Sequence, residues 1–267
     1  NRGTGALQKV TLVFDAATGA LDAIIESDWL SWARTGATSA VASRHLARPD
    51  ATVLGIIGTG KQARSQLLAV AASRPISAVF VFGRDAGRRA AFAAEMSERA
   101  GVEVVALDRA DSVVERAEIL CTATTSSQPV FGGAAIQPGL HVNAIGAHRP
   151  AAREIDAGTM LASHLFADDL ARCAQEDGAY LLLADADRDA CLARTTGLSA
   201  VVAGTAPGRR SPAEITVFHS GGLSSEYLWT AVAVLEQARA RGLGTRVRLG
   251  DRKSTRLNSS HVSESRM

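Results

Sequence analysis

A chain of 267 residues has room for one or two domains. With 46% hydrophobic and 21% charged residues it has the balance of an ordinary globular protein, not of a disordered or fibrous one. No apolar run reaches the ~18 residues that a membrane span needs, and the opening residues do not read as a secretory signal. The net charge of +2 is carried by the last stretch. There Arg252, Lys253, Arg256 and Arg266 face only Asp251 and Glu264, so residues 1–250 are neutral and show no basic track for nucleic acid. That stretch, Asp251 to His261 above all, has no apolar period and corresponds codon for codon to a common sequencing-library adapter. Residues 251–267 are therefore expected to be a foreign, disordered tail. Cys121, Cys173 and Cys191 form no CxxC pair, which predicts a reducing, cytoplasmic setting and no structural metal. Cys121 sits in an apolar strand and reads as a small hydrophobe.

In chain order, Lys9 to Phe14 and Ala20 to Ile25 predict a hairpin about the turn Asp15–Gly19. A lone hairpin is marginal in water, so further chain is expected ahead of Asn1. Ser27 to Leu46 predicts a helix carrying Arg34 among small residues. Two readings of Arg34 stand: a guanidinium set to hold an anion, or a surface arginine whose stem lies along the helix. Val53 to Ile57 is an apolar run suited to a buried parallel strand. It leads into Gly58-Thr59-Gly60-Lys61-Gln62-Ala63 and then a helical pattern through Ala72. Strand, glycine turn and helix in that order is the setting of a dinucleotide fingerprint. Gly58 allows the tight turn, Gly60 leaves the pyrophosphate unobstructed, and Ala63 lets the helix sit on the strand.

Further strands are predicted at Ile76–Phe82, Val102–Leu107, Glu118–Thr122, His141–Ile145, Leu161–Ala167 and Glu214–Phe218. Helices are predicted at Asp85–Ala100 and, as a short one, after Asp108. A last amphipathic helix is expected over Ser224–Arg241. Alternating units of this kind predict an α/β fold, a doubly wound parallel Rossmann sheet. The hydroxyl-rich loop Thr122–Ser127 and the turns at Gly146–Pro150 and His219–Gly222 fall at carboxyl ends of strands, where such sheets bind ligands. Gly178 to Pro212 is hard to read beyond a polar helix at Asp185–Arg194. The second strand ends in Gly83-Arg84 where a site for NAD usually carries a carboxylate. A small residue followed by a guanidinium suits a 2′-phosphate, with Asp85 serving as helix cap, and favours NADP(H) over NAD(H).

Taken together these stretches resemble the ornithine cyclodeaminase and mu-crystallin family. They are Phe14–Gly19, Arg34–Ala37, Gly58–Ala63, Thr122–Thr125, Pro138–Ala147, Arg153–Asp156, Gly204–Arg209 and Ile215–Ser220. The resemblance implies a homodimer in which a Rossmann domain, residues 50–222, is joined by a substrate and dimerisation domain. That domain would be built from residues 1–49 and a returning helix in 223–250. It implies that Arg34 holds an amino-acid carboxylate and that Arg84 corresponds to the arginine of NADP-using relatives. Thr122 and Thr124 would line the nicotinamide edge, and Ser220 and Gly221 a loop closing over the cofactor. Ornithine cyclodeaminase carries an aspartate at the position of His148, and its absence here points towards the ketimine reductases. His148 is then either a proton donor or a polar residue at a strand end. The activity implied is NAD(P)H-dependent reduction of a small cyclic imino acid such as Δ1-pyrroline-2-carboxylate to the L-amino acid. Two alternatives remain: an ornithine cyclodeaminase, and a non-enzymatic ligand-holding protein like mu-crystallin.

Overall fold

A computed structural model describes residues 9–146 and 149–247. The chain falls into two compact units, one running to Ala231 and the other beginning at Val232. The first opens with an antiparallel hairpin, β1 (Val10–Phe14) and β2 (Leu21–Glu26). Alternation puts Val10, Leu12 and Phe14 on one outer face, where each is more than half exposed. Helix α1 (Asp28–Leu46) follows.

The remaining strands are β3 (Val53–Ile57), β4 (Ala78–Phe82), β5 (Val104–Ala106), β6 (Ile119–Thr122), β7 (His141–Ala144), β8 (His164–Ala167), β9 (Thr196–Gly197) and β10 (Thr216–His219). They form one all-parallel sheet in the order β5-β4-β3-β6-β7-β10-β8-β9. The connecting helices are α2 (Lys61–Ser73), α3 (Ala86–Ala100), α4 (Ala110–Val114), α5 (Ala157–Ala162), α6 (Leu170–Glu176), α7 (Gly178–Leu181), α8 (Asp185–Arg194) and α9 (Leu198–Val202). Helix α10 (Ser224–Ala240) comes last.

The predicted doubly wound sheet is present, and its order explains where a ligand can go. From β3 the chain moves outward to β4 and β5, then returns across β3 to β6 and continues the other way. The crevice at the carboxyl ends of β3 and β6 is the switch point of such a fold. Leu54, Ile56, Val79 and Val81 point to one face with Leu67, Val70, Phe92 and Met96 from α2 and α3. Ile57, Leu120, Val142, Leu165 and Val217 belong to a second cluster with Val113 and Tyr180. Each such side chain contributes about 1.5–3 kcal/mol through burial.

Two details differ from the sequence expectation. Leu161 and Ala162 finish α5, capped by Asp156, so β8 begins only at His164. The region that was hard to read holds α7 and α9 and the two-residue strand β9, too short to show a period.

Candidate functional site

The turn after β3 is built by geometry that only glycine meets easily. Gly58 has φ +124°, and a Cβ there would overlap the Ala123 carbonyl at the end of β6. A Cβ on Gly60 would stand in open space, so the missing side chain leaves room over the first turn of α2. The N–H groups of that turn have no acceptor within the helix and make an anion cradle. Ala63 is fully buried against the sheet. Arg64, which the sequence reading passed over, fastens this turn. Its guanidinium donates to the Thr59 carbonyl at 2.8 Å, pairs with Glu95 at 2.6 Å and lies over the Phe92 ring at 5.1 Å. The hydrogen bond from Arg64 pulls Glu95 down to about 2.

Two cavities meet at Gly60. One, of about 470 Å³, is bordered by Gly58, Thr59, Gly83, Arg84 and Thr124. The other, of about 310 Å³, is bordered by Arg34, Lys61, Gln62, Thr124, Gly146, Ser220 and Gly221. The structure thus brings to one crevice nearly all the site residues taken from the sequence. Ala63, buried beneath the turn, and Thr122 are the exceptions among the described ones. Thr122 is fully buried and its hydroxyl donates to Glu154 at 2.7 Å. His148 lies outside the described residues. The extended crevice, the open glycine and the helix N-terminus fit a dinucleotide, and the buried Gln62 Oε1 has no protein partner.

Arg34 is held by two neighbours on α10. It donates to Glu226 at 2.8 Å, both side chains being 14% exposed, and its guanidinium lies 4.8 Å from the centre of the Tyr227 ring. The Tyr227 hydroxyl and Ser31 Oγ are 2.7 Å apart. Burial pushes the Tyr227 phenol up, but the Ser31 hydrogen bond and the Arg34 charge outweigh it and hold it below the usual value. Helix α1 reaches the crevice by packing on α2 at Gly36, where a Cβ would come within 2.6 Å of the Ser65 carbonyl oxygen. Ser65 Oγ in turn donates to the Trp32 carbonyl at 2.5 Å.

The loops on the far wall are held by two carboxylates that no motif announced. Glu154, 1% exposed, accepts from Thr122 Oγ1 (2.7 Å), Thr124 N (2.6 Å) and Gly146 N (2.7 Å). Asp168 accepts from Ser220 Oγ (3.2 Å), Gly221 N (3.0 Å) and Gly222 N (2.7 Å). His219 Nδ1 lies 2.9 Å from Asp177 and its ring packs on Tyr180. Cys121 is a buried thiol pushed up to about 12 by that burial, as suits a core residue and not a nucleophile. Among the described residues no cluster of His, Cys, Asp or Glu is arranged for a metal ion, and no helix is long and apolar enough to cross a membrane.

A parallel sheet with a glycine turn at its switch point, and a guanidinium facing the same crevice, define a nicotinamide-dependent oxidoreductase. The family model for the ornithine cyclodeaminase/mu-crystallin family matches residues 1–242, and the chain belongs to that family. It is 33% identical over 252 residues to a Delta(1)-pyrroline-2-carboxylate reductase of Bacillus cereus, covering 92% of this chain and 75% of the relative. The structure of Thermococcus litoralis Delta(1)-pyrroline-2-carboxylate reductase with NADH and L-proline superposes with a TM-score of 0.83 at 36% identity, over 88% of this chain and 73% of that one. An archaeal alanine dehydrogenase dimer with bound NAD gives 0.84 at 27% identity, over 93% and 77%.

These structures overturn the expected preference for NADP(H): the cofactors they carry are NADH and NAD. The geometry shows why Gly83-Arg84 misled. A Cβ on Gly83 would come within 2.7 Å of Thr59 Cγ2, so that glycine answers to crowding by the β3 turn and not to a phosphate. Arg84 is exposed at the crevice mouth, a position that by itself demands no anion. Asp85 does cap α3, accepting from Arg88 N at 2.8 Å.

Proposed function

We propose that this chain is an NAD(H)-dependent reductase of a small cyclic ketimine carboxylate, Δ1-pyrroline-2-carboxylate or a close imino-acid relative, yielding the L-amino acid. The observation that carries the reading is Arg34, a cation aimed at the cavity that shares Gly60 and Thr124 with the glycine-turn crevice. The bound nicotinamide supplies the hydride. Arg34 clamps the substrate carboxylate with its planar fork and so sets which face of the C=N carbon meets the cofactor. Gly58, Thr59, Gly60, Lys61, Gln62 and Ala63 take the pyrophosphate, with Gly83 and Arg84 towards the adenosine. Thr124, with Ser220 and Gly221, frames the nicotinamide end, and Thr122 supports that wall from behind through Glu154. His148, at the loop after β7, is the candidate donor of the proton that the imine nitrogen requires.

A homodimer belongs to the same proposal. Its supports are the exposed apolar face of the β1–β2 hairpin and the dimer of the archaeal alanine dehydrogenase. Residues 1–49 and 223–250 would form the substrate and dimer domain and residues 50–222 the cofactor domain; the three unpaired cysteines support a cytoplasmic location.

Two assays on one preparation test the reading. NADH absorbance is followed with Δ1-pyrroline-2-carboxylate, and proline is measured from ornithine. Imine-dependent oxidation of NADH well above proline formation is expected. Proline released from ornithine without net cofactor consumption would instead make the chain a cyclodeaminase.

A further inference from the structure

Glu154 is unusual among the charged groups of this site. Buried carboxylates are normally paired with a cation, because burying a lone charge is costly. Among the described residues Glu154 has no cationic partner, and its three neighbours are a hydroxyl and two backbone N–H groups. The two backbone N–H groups can only donate, one to each carboxyl oxygen. Two of the donors, Thr124 N and Gly146 N, belong to residues that form the wall of the Arg34 cavity, so the charge stands one hydrogen bond behind that wall.

The cations facing the cavity bring their own counter-charges. Arg34 is paired with Glu226, and Lys61 with Asp28. On the far wall Asp168 adds a second carboxylate, also satisfied by backbone N–H groups and a hydroxyl. Asp168 has the Arg172 cation beside it, so the charge without a bonded cation behind the wall where β6 and β7 end is that of Glu154.

We infer that Glu154 biases this pocket towards the oxidised, cationic nicotinamide, so that bound NADH is a stronger hydride donor than free NADH. The inference rests on the reading that this cavity takes the nicotinamide end of the cofactor. The nicotinamide ring is neutral when reduced and positive when oxidised. A fixed negative charge in a water-poor site stabilises the second form and lowers the barrier to giving up hydride. The hydrogen bonds alone would explain why Thr124 and Gly146 stand where they do.

Equilibrium binding of NAD+ and NADH, without substrate, separates charge from positioning. Glu154→Gln removes the charge and keeps the size, giving up one accepted backbone hydrogen bond. It is expected to weaken NAD+ relative to NADH by about tenfold, the effect of one charge several ångströms away at intermediate dielectric. Glu154→Asp keeps the charge and disturbs the geometry. It should weaken both cofactors and leave their ratio within about twofold of the wild type, as like effects on both redox forms cancel. An unchanged ratio in Glu154→Gln, or an equal shift in Glu154→Asp, would overturn the inference while leaving the cofactor site intact. Binding of neither dinucleotide to the wild-type protein would overturn both the inference and the functional reading beneath it. Should Glu154→Gln fail to fold, the wild-type ratio decides. NAD+ bound more tightly than NADH upholds the inference, and equal affinities or tighter binding of NADH contradict it.

Discussion

The two halves of the crevice solve opposite problems with opposite materials. On the β3–β4 side the wall is made by the absence of side chains at Gly58, Gly60 and Gly83 over a core of Leu54, Ile56, Val79 and Val81. On the β6–β7–β10 side it is made by polar groups: buried Glu154 and half-buried Asp168 hold the loops, while His141, Asn143 and Thr216 lie fully buried in the strands. The first half accepts a phosphate chain, which needs open backbone and free N–H groups. The second must hold a small reactive assembly still, which needs loops pinned by directional bonds. An apolar core gives rigidity without direction; buried hydrogen bonds give direction and are costly when broken.

Removing the freedom of the first half should have the largest effect. In Gly58→Ala the added Cβ meets the Ala123 carbonyl, and φ of +124° strains any side-chain-bearing residue. NADH affinity should fall by about two orders of magnitude or more and stability by about 1–3 kcal/mol, read by titration and thermal melting. Full retention of binding would mean the glycine turn is not the phosphate cradle.

Next in size is Arg34, which tests the second half while sparing the first. Arg34→Ala should lower kcat/KM by about two orders of magnitude, or about 3 kcal/mol, with NADH affinity hardly changed. Arg34→Lys should recover little, since a point charge does not reproduce a bidentate fork. A parallel loss of NADH binding would make Arg34 a phosphate ligand and dissolve the division between the halves.

That division also governs how much could be read from the sequence. Apolar strand, glycine turn and helix are local patterns, so Val53 to Ala72 was legible at once, as was the parallel sheet. Arg34 left two readings until the family resemblance weighed for one of them. Its partner Glu226 lies 192 residues away, beyond any periodicity. Glu154 was quoted only as part of a matching stretch; two of its three donors are backbone N–H groups beyond two other strand ends, which no side-chain spacing encodes. Gly83-Arg84 was misread because a glycine can mark crowding by protein as well as space for ligand, and only Thr59 in place decides which.

Between the halves stands the crossing of α1 on α2. A methyl group at Gly36 would press on Ser65 and force the helix carrying Arg34 away from the helix that begins at Lys61. Overpacking of this kind costs about 1–3 kcal/mol. Gly36→Ala should therefore raise KM and reduce kcat together, by about tenfold, with a smaller change in NADH affinity. Steady-state kinetics beside a cofactor titration reads the split. An effect on cofactor binding alone would show that the crossing serves the glycine turn and not the placement of Arg34.

The smallest effect comes from acid, and it should reach one half before the other. His141 opens β7 fully buried, with Nδ1 2.9 Å from Thr216 Oγ1 and Nε2 3.3 Å from Asn143 Oδ1. Burial, helped by the Arg209 charge, drives it from 6.5 down to about 3. The neutral ring is thus the folded form, while the unfolded chain takes up its proton at the ordinary value. Between those two pH values the unfolded state binds more protons, so stability falls as pH is lowered from about 6.5 towards about 3. The slope contributed by one such group is at most about 1.4 kcal/mol per pH unit. No comparable buried base lies in β3 or β4, whose core is apolar. Hydrogen exchange at pH 4.5 should therefore expose the amides of β7 and β10 before those of β3 and β4, and His141→Gln should flatten the melting temperature against pH below 6.5. If wild type and His141→Gln lost stability along the same curve, the acid sensitivity would lie with the carboxylates, whose paired forms also fail at low pH. The polar half of the sheet would then owe nothing of its weakness to His141.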